Sequence, residues 1–252
     1  MRKHLSILAL STILITPAFG DDFFISTAGN DANTCRMPSQ ACRTSVRVVS
    51  LMAPGMHSVS YGPGTFPEFN VFHGRQVFVT GAGWNASTQH CDNPYATVVN
   101  NVWIQDNATS WVNCLTTTQI ACRQFSIGDV SDVAFFASGG NIVANEMCKI
   151  NTANNLYILS TNGVGSFAVA TDNSTVFLYS NIVITASGLG FSQFLTAVNG
   201  GVVDASLATF AGPAMTGLRF NLDRGDLTLP TMGGAAVIPG SGSFATNFSV
   251  VR

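Results

Sequence analysis

Four residues of this chain have the types to do acid–base chemistry if folding brings them together: Asp106, Asp172, Arg219 and Arg224. Two carboxylates can divide the general-acid and general-base roles, provided their surroundings push their pKa values apart. Arginines in the same groove would complete a charged constellation of the kind an active site needs. Asp106 lies in Val102-Trp103-Ile104-Gln105-Asp106-Asn107, and Asp172 in Ala170-Thr171-Asp172-Asn173. Arg219 and Arg224 flank Phe220-Asn221-Leu222-Asp223.

The elements that would position these groups show themselves as a recurring phrase. Ala137-Ser138-Gly139-Gly140-Asn141-Ile142-Val143 is followed by Ala170-Thr171-Asp172-Asn173-Ser174-Thr175-Val176 and by Ala197-Val198-Asn199-Gly200-Gly201-Val202-Val203. Ile104-Gln105-Asp106-Asn107-Ala108-Thr109-Ser110 is a worn fourth copy, and the intervals are 33, 33 and 27 residues. Repeats at a fixed period signal a solenoid, and a turn pair between β-formers selects the β kind. The turn slots are Gly139, Gly140, Asp172, Asn173, Asn199 and Gly200, with Asp106 and Asn107 in the worn copy; the repeated alanine should point inward. Were each copy one coil, strands about 4.8 Å apart would put Asp106 and Asp172 roughly 9.5 Å apart, with Gly139 leaving a notch between them. Inverting glycosidases use about 6.5–9.5 Å between their carboxylates. Asp and Asn also stand at β corners for a structural reason, since they tolerate left-handed backbone and bond their own turn. An antiparallel sandwich would show turns just as often, but it does not need the turns to match in sequence.

Composition narrows the classes. The chain has 252 residues, 11 basic and 13 acidic, and Arg2 and Lys3 precede an apolar run at residues 5–15 and the small-x-small site Ala18-Phe19-Gly20. This pattern predicts a secretory signal peptide over residues 1–20, cleaved before Asp21. No later apolar run is long enough to span a bilayer. The mature chain would carry a net charge of −4 with Lys149 as its one lysine, which excludes a nucleic-acid groove. An even six cysteines behind a signal peptide predict disulfides in a secreted or periplasmic protein. Cys35 and Cys42 close a short proline-containing loop and are the expected pair; the pairing of Cys91, Cys114, Cys122 and Cys148 is open. No metal site is expected, because no cysteine pair has CxxC spacing and no His follows His90.

The strand pattern begins at Phe23-Phe24-Ile25-Ser26; Thr44 can cap a short helix to about Met52, and Pro54-Gly55 ends it. Short β runs and turns fill the rest, including runs near Trp111–Leu115, Arg123–Ile127 and Thr175–Tyr179. The opening Phe24-Ile25-Ser26-Thr27-Ala28-Gly29-Asn30-Asp31, the cysteine pair around its proline loop, Arg43-Thr44, and Tyr61-Gly62-Pro63-Gly64-Thr65-Phe66-Pro67-Glu68 resemble the first coil of secreted right-handed parallel β-helix proteins of the pectate-lyase-like superfamily. The resemblance covers residues 23–70, with the phrases extending it toward residue 206. It implies an all-β, right-handed parallel β-helix with a short N-terminal capping helix. The expected organisation is a leader at 1–20, a cap and first coil at 21–70, coils at 71–229 and a Gly/Ser-rich tail or cap at 230–252.

A fold match grants no activity. The Asn-Thr-Asp, Gly-His-Gly and Arg-Ile-Lys strings of polygalacturonase-like hydrolases are missing. The Trp-Ile-Asp-His stretch of pectate lyases is matched only by Trp103-Ile104-Gln105-Asp106, and their Arg-x-Pro-x-x-Arg only by Arg219 and Arg224 without the proline. Asp129 and Asp132 could face Ca²⁺, the one cofactor a lyase reading would bring; otherwise no cofactor is expected. Trp84, Trp103, Trp111, Tyr157 and Tyr179 could stack on sugar rings, although aromatic burial is the default. The reading favoured is a non-catalytic exported β-helix presenting a long β face to a polysaccharide, a cell-envelope glycan or another partner; the alternative is a lyase or glycoside hydrolase.

Overall fold

The computed structural model describes residues 20–71, 73–136, 140–160, 165–185, 190–231, 233–246 and 250–251. Among the described residues it is all-β with one α-helix, Ser45–Leu51. Its main sheet has 21 strands. Every ladder in that sheet is parallel, from the first pair (Asp22–Ile25 on Met56–Tyr61) to the last (Asp226–Thr228 on Val250–Val251).

Pairing sorts the strands into three columns. The first runs through Asp22–Ile25, Met56–Tyr61, Gln76–Thr80, Thr109–Asn113, residues 127–131 and 149–152, Thr175–Leu178, Val202–Asp204, Asp226–Thr228 and Val250–Val251. The second holds Gly64–Phe66, residues 97–99, 116–117, 133–136 and 155–160, Asn181–Ile184 and Thr209–Ala211. The third holds Phe69–Val71, residues 102–104 and 120–122, Ile142–Ala144, Ser166–Ala170, Gly190–Val198, Thr216–Asp223 and Ser243–Thr246. From Met56–Tyr61 to Asp226–Thr228 the chain visits the columns in the same order on each pass. A long curled parallel sheet with this connectivity is compatible with a parallel β-helix. Parallel strands need crossovers, and here the next two columns serve as the crossover.

Alternation explains the core. In Gln76–Thr80, Val77 and Val79 are buried while Gln76 and Phe78 face out, and the period of two repeats rung after rung. Stacked aliphatics such as Val59, Val79, Val112 and Val130 line the interior.

The corner from the third column to the first is built alike on successive passes of the chain. His73, Asp106, Gln124, Glu146, Asp172, Asn199 and Arg224 all have φ between 51° and 60°. The amide after each of the first five of these donates to the carbonyl of the next corner residue, from Gly74 to Asp106 (2.9 Å) through Asn173 to Asn199 (3.2 Å). Three copies of the recurring phrase sit here. The copy at 137–143 does not: Ile142 pairs with Ile120 and Val143 with Ala121, so Gly140 and Asn141 occupy the corner between the second and third columns. Gly139 lies outside the described residues. Gly, Asn and Asp are favoured at left-handed corners of either kind, so the phrase marks a corner without saying which one. The run near Arg123–Ile127 is likewise a corner, with Gln124 and Phe125 left-handed, and only Ile127 enters a strand.

At the N-terminal end, Asp31 accepts hydrogen bonds from the N–H groups of Arg43 (2.8 Å) and Thr44 (2.9 Å) and from the Thr44 hydroxyl (2.8 Å). Thr44 in turn accepts from the N–H of Arg47 and caps the helix. The helix packs Val48 and Val49 toward the first strand and Phe69–Val71. Disulfides join Cys35 to Cys42, Cys91 to Cys114 and Cys122 to Cys148. The Gly/Ser-rich stretch after Pro230 adds the rungs Ser243–Thr246 and Val250–Val251. The predicted leader, residues 1–19 of it, lies outside the described residues.

Candidate functional site

Asp106 and Asp172 occupy the same corner slot, but Gln124 and Glu146 stand between them. Three rungs of about 4.8 Å separate them by roughly 14 Å, beyond the spacing expected from one intervening copy. Asp106 faces His73, with Nδ1 to Oδ2 at 3.4 Å. Asp172 accepts from the Thr171 hydroxyl (2.9 Å) and from Asn199 Nδ2 (3.5 Å). Arg224 donates to Asn199 Oδ1, so it does reach the same corner. Arg219 does not: its Nε donates to the carbonyl of Ile238 at 3.2 Å, beside a separate depression lined by Phe210, Pro213 and Met215. Three of the candidates therefore line the corner ridge, while Arg219, on the strand Thr216–Asp223, is turned to the carbonyl of Ile238.

The outward side of the third column is chemically bland. Its ladder reads Asn70, Trp103, Ala121, Val143, Val169, Thr196 and Asn221, with no titratable side chain. Trp103 is covered by the Arg123 guanidinium, 4.6 Å from its ring centre.

The first column faces outward with a different set. Its central ladder reads Ser58, Phe78, Trp111, Asp129, Asn151, Phe177, Asp204 and Thr228. Phe78 and Trp111 stack with ring centres 4.2 Å apart and planes 10° off parallel. On the next two rungs Asn151 Nδ2 donates to Asp129 Oδ1 at 2.6 Å. Beyond them Phe177 packs beside Tyr179 (5.3 Å) under the Lys149 ammonium (4.8 Å). The Tyr179 hydroxyl donates to Asp204 at 3.1 Å. Burial first, and the Asp204 carboxylate second, push the Tyr179 phenol above its ordinary pKa, so it stays a neutral donor.

A groove of about 230 Å³ opens over this ladder, lined by Trp111, Asn113, Asp129, Ser131, Asn151 and Ala153, among others. It exists because Ser131 and Ala153, register partners, are small. The Asn113 Oδ1 atom in its wall is buried and has no hydrogen-bond partner among the described residues. Asp132, by contrast, turns into the corner, where Asn154 Nδ2 (2.9 Å) and Asn155 Nδ2 (3.3 Å) hold it. Asp129 and Asp132 thus serve different partners. Among the described residues, no group of three or more His, Cys, Asp or Glu side chains could hold a metal ion. His57 is buried against Phe23 with Nε2 2.8 Å from the carbonyl of Ala53, and His90 sits in the short hairpin Trp84–Asn85 with His90–Cys91.

Comparison with protein-family models, with characterised proteins and with solved structures finds no match for this chain. Function is therefore argued from the geometry. Of the aromatics weighed in the sequence, Trp111 and Tyr179 stand on the polar open face; Tyr157 stands on the second column, edge-on to Tyr95 at 6.0 Å. The sequence signals for the groove were present singly, in Trp111 and Asp129. What joins them is the register between Thr109–Asn113 and residues 127–131, which short repeats of unequal length do not disclose.

Proposed function

We propose that this is an exported, non-catalytic right-handed parallel β-helix protein that binds glycan through the outward face of its first column. Right-handed closure is the expected sense for parallel crossovers. Three disulfides fit an extracellular or periplasmic setting. No helix among the described residues is long and apolar enough to cross a membrane, a statement that leaves β-barrels aside. The observation that carries the reading is the first-column ladder, where aromatic rings at Phe78/Trp111 and Phe177/Tyr179 bracket the hydrogen-bonding pair Asp129 and Asn151. Sugar recognition needs this combination: apolar faces for C–H surfaces and planar polar groups for hydroxyls.

Binding is preferred to turnover because Asp106, Asp172, Arg219 and Arg224 do not converge in one cleft, as an enzyme requires. The test is retention of the protein from Asp21 to Arg252 on immobilised neutral and acidic polysaccharides, with reducing ends and unsaturated products assayed in parallel, with and without Ca²⁺. Retention without product is expected. New reducing ends or unsaturated products would replace the reading by a hydrolase or a lyase, and absence of retention by folded protein on every polysaccharide would end it.

A further inference from the structure

We propose that the groove beside Trp111 is a subsite for one uncharged pyranose residue carrying vicinal hydroxyls. The inference rests on the glycan-binding reading above and specifies its ligand class. Phe78 covers one face of the Trp111 indole, almost parallel and 4.2 Å away along the stacking direction. The other indole face is thereby turned toward the following rung, Asp129, over which the groove lies. A sugar ring entering there stacks its C–H face on Trp111 and turns its edge to Asp129 and Asn151. Asn151 already donates to Asp129 Oδ1 at 2.6 Å, which fixes both planes and leaves Asp129 Oδ2 and the Asn151 carbonyl free of hydrogen bonds among the described residues. Two acceptors locked side by side suit two neighbouring hydroxyl donors, and a carboxylate acceptor makes the stronger bonds. The buried Asn113 Oδ1 in the same wall is a further acceptor without a donor, the kind of orphan that a ligand or water explains.

Charge selects the class. Among the described residues the groove holds one formal charge, the Asp129 carboxylate, and no cation lines it. The nearest lysine on this face, Lys149, is seated over the Phe177 ring. A uronate would bring a second carboxylate against Asp129, and like charges in a partly desolvated groove repel. The subsite therefore discriminates against acidic sugars.

The experiment titrates the protein with methyl glucoside, galactoside and mannoside and with the matching methyl uronates, read by tryptophan fluorescence and by amide NMR shifts. At least one neutral glycoside should shift the resonances of residues 111–113, 129–131 and 151–153, and its uronate counterpart should bind about tenfold more weakly. Trp111→Ala should abolish the response. Because that variant also uncovers Phe78, Ala153→Leu serves as an independent test that fills the groove from an exposed position; it too should abolish binding with the circular dichroism spectrum unchanged. Asp129→Asn should narrow the gap between neutral and acidic sugars. Equal or tighter uronate binding overturns the inference, as does neutral binding that survives Ala153→Leu, or no response to any of the glycosides. The polysaccharide retention assay judges the broader reading separately: retention that survives Ala153→Leu would overturn this subsite and leave the glycan-binding face standing.

Discussion

The buried side chains between successive passes of the chain are of two kinds. Between Val99 and Val133 the interior is aliphatic, with Val102, Ile104, Leu115 and Ile120 fully buried, and two disulfides, Cys91–Cys114 and Cys122–Cys148, tie neighbouring turns. From Phe135 onward phenylalanines join the aliphatic filling. Phe167 stacks on Phe194 at 5.0 Å, with Phe135, Phe191 and Phe210 packed around them. The turn from Asp106 to Gln124 is the shortest between successive corners, whereas the turn from Asp172 to Asn199, which carries Phe191 and Phe194, is longer. A short turn has few residues to bury, and covalent ties supplement its packing.

Substitutions can break that contrast. Phe194→Ala should have the largest effect, a loss of about 3–5 kcal/mol in urea unfolding, equal in oxidising and reducing buffer. Cys122→Ser combined with Cys148→Ser should cost about 2–4 kcal/mol, and only in oxidising buffer. If both variants respond alike to reductant, the division into ring-filled and stapled coils is wrong.

The N-terminal cap sharpens the comparison from outside both regions. Burial alone would raise the Asp31 pKa, but the hydrogen bonds from the Thr44 hydroxyl, the Thr44 N–H and the Arg43 N–H, with the nearby Arg47 charge, outweigh it and hold the carboxyl below its ordinary value. A depressed carboxylate contributes stability above its unfolded pKa, and that stability is lost as pH falls through the folded value. Asp31→Asn should cost about 1 kcal/mol near neutrality, since solvent screens an exposed group, and should remove this part of the acid sensitivity in a pH series of thermal melts. The smallest effect is expected at the corner: Asp106→Asn or Asp172→Asn should change stability by less than about 0.5 kcal/mol, because Asn also adopts left-handed backbone.

Much of the architecture was legible. The phrase copies at 104–110, 170–176 and 197–203 mark one corner, Thr44 caps the helix, and Cys35 bonds Cys42. The coil count between Asp106 and Asp172 was not legible, because the intervening corners are Gln124-Phe125 and Glu146-Met147, residue types that carry no turn signature. Phe125 and Met147 are 61 % and 53 % exposed there, bulky side chains held in left-handed backbone by the ladder around them. Asp31 and Arg43-Thr44 stood out in sequence as parts of the opening pattern, but their pairing did not show, since they lie across the Cys35–Cys42 loop. The subsite beside Trp111 was hidden for a similar reason: its walls come from three coils whose register is set only when the turns stack.

Every main-sheet ladder runs from coil to coil, so its hydrogen bonds lie along the stacking direction. Tension applied along that direction meets no shear clamp. It loads one rung at a time, and the ring-filled coils should peel away in sequence at low force, in the manner of a zip. The bridge from Cys122 to Cys148 ends that run, because the turn it closes cannot lengthen without breaking a covalent bond. Under load the ring-filled stretch should lengthen before the stretch that the Cys91–Cys114 and Cys122–Cys148 bridges close, with the tryptophan groove lying astride the junction.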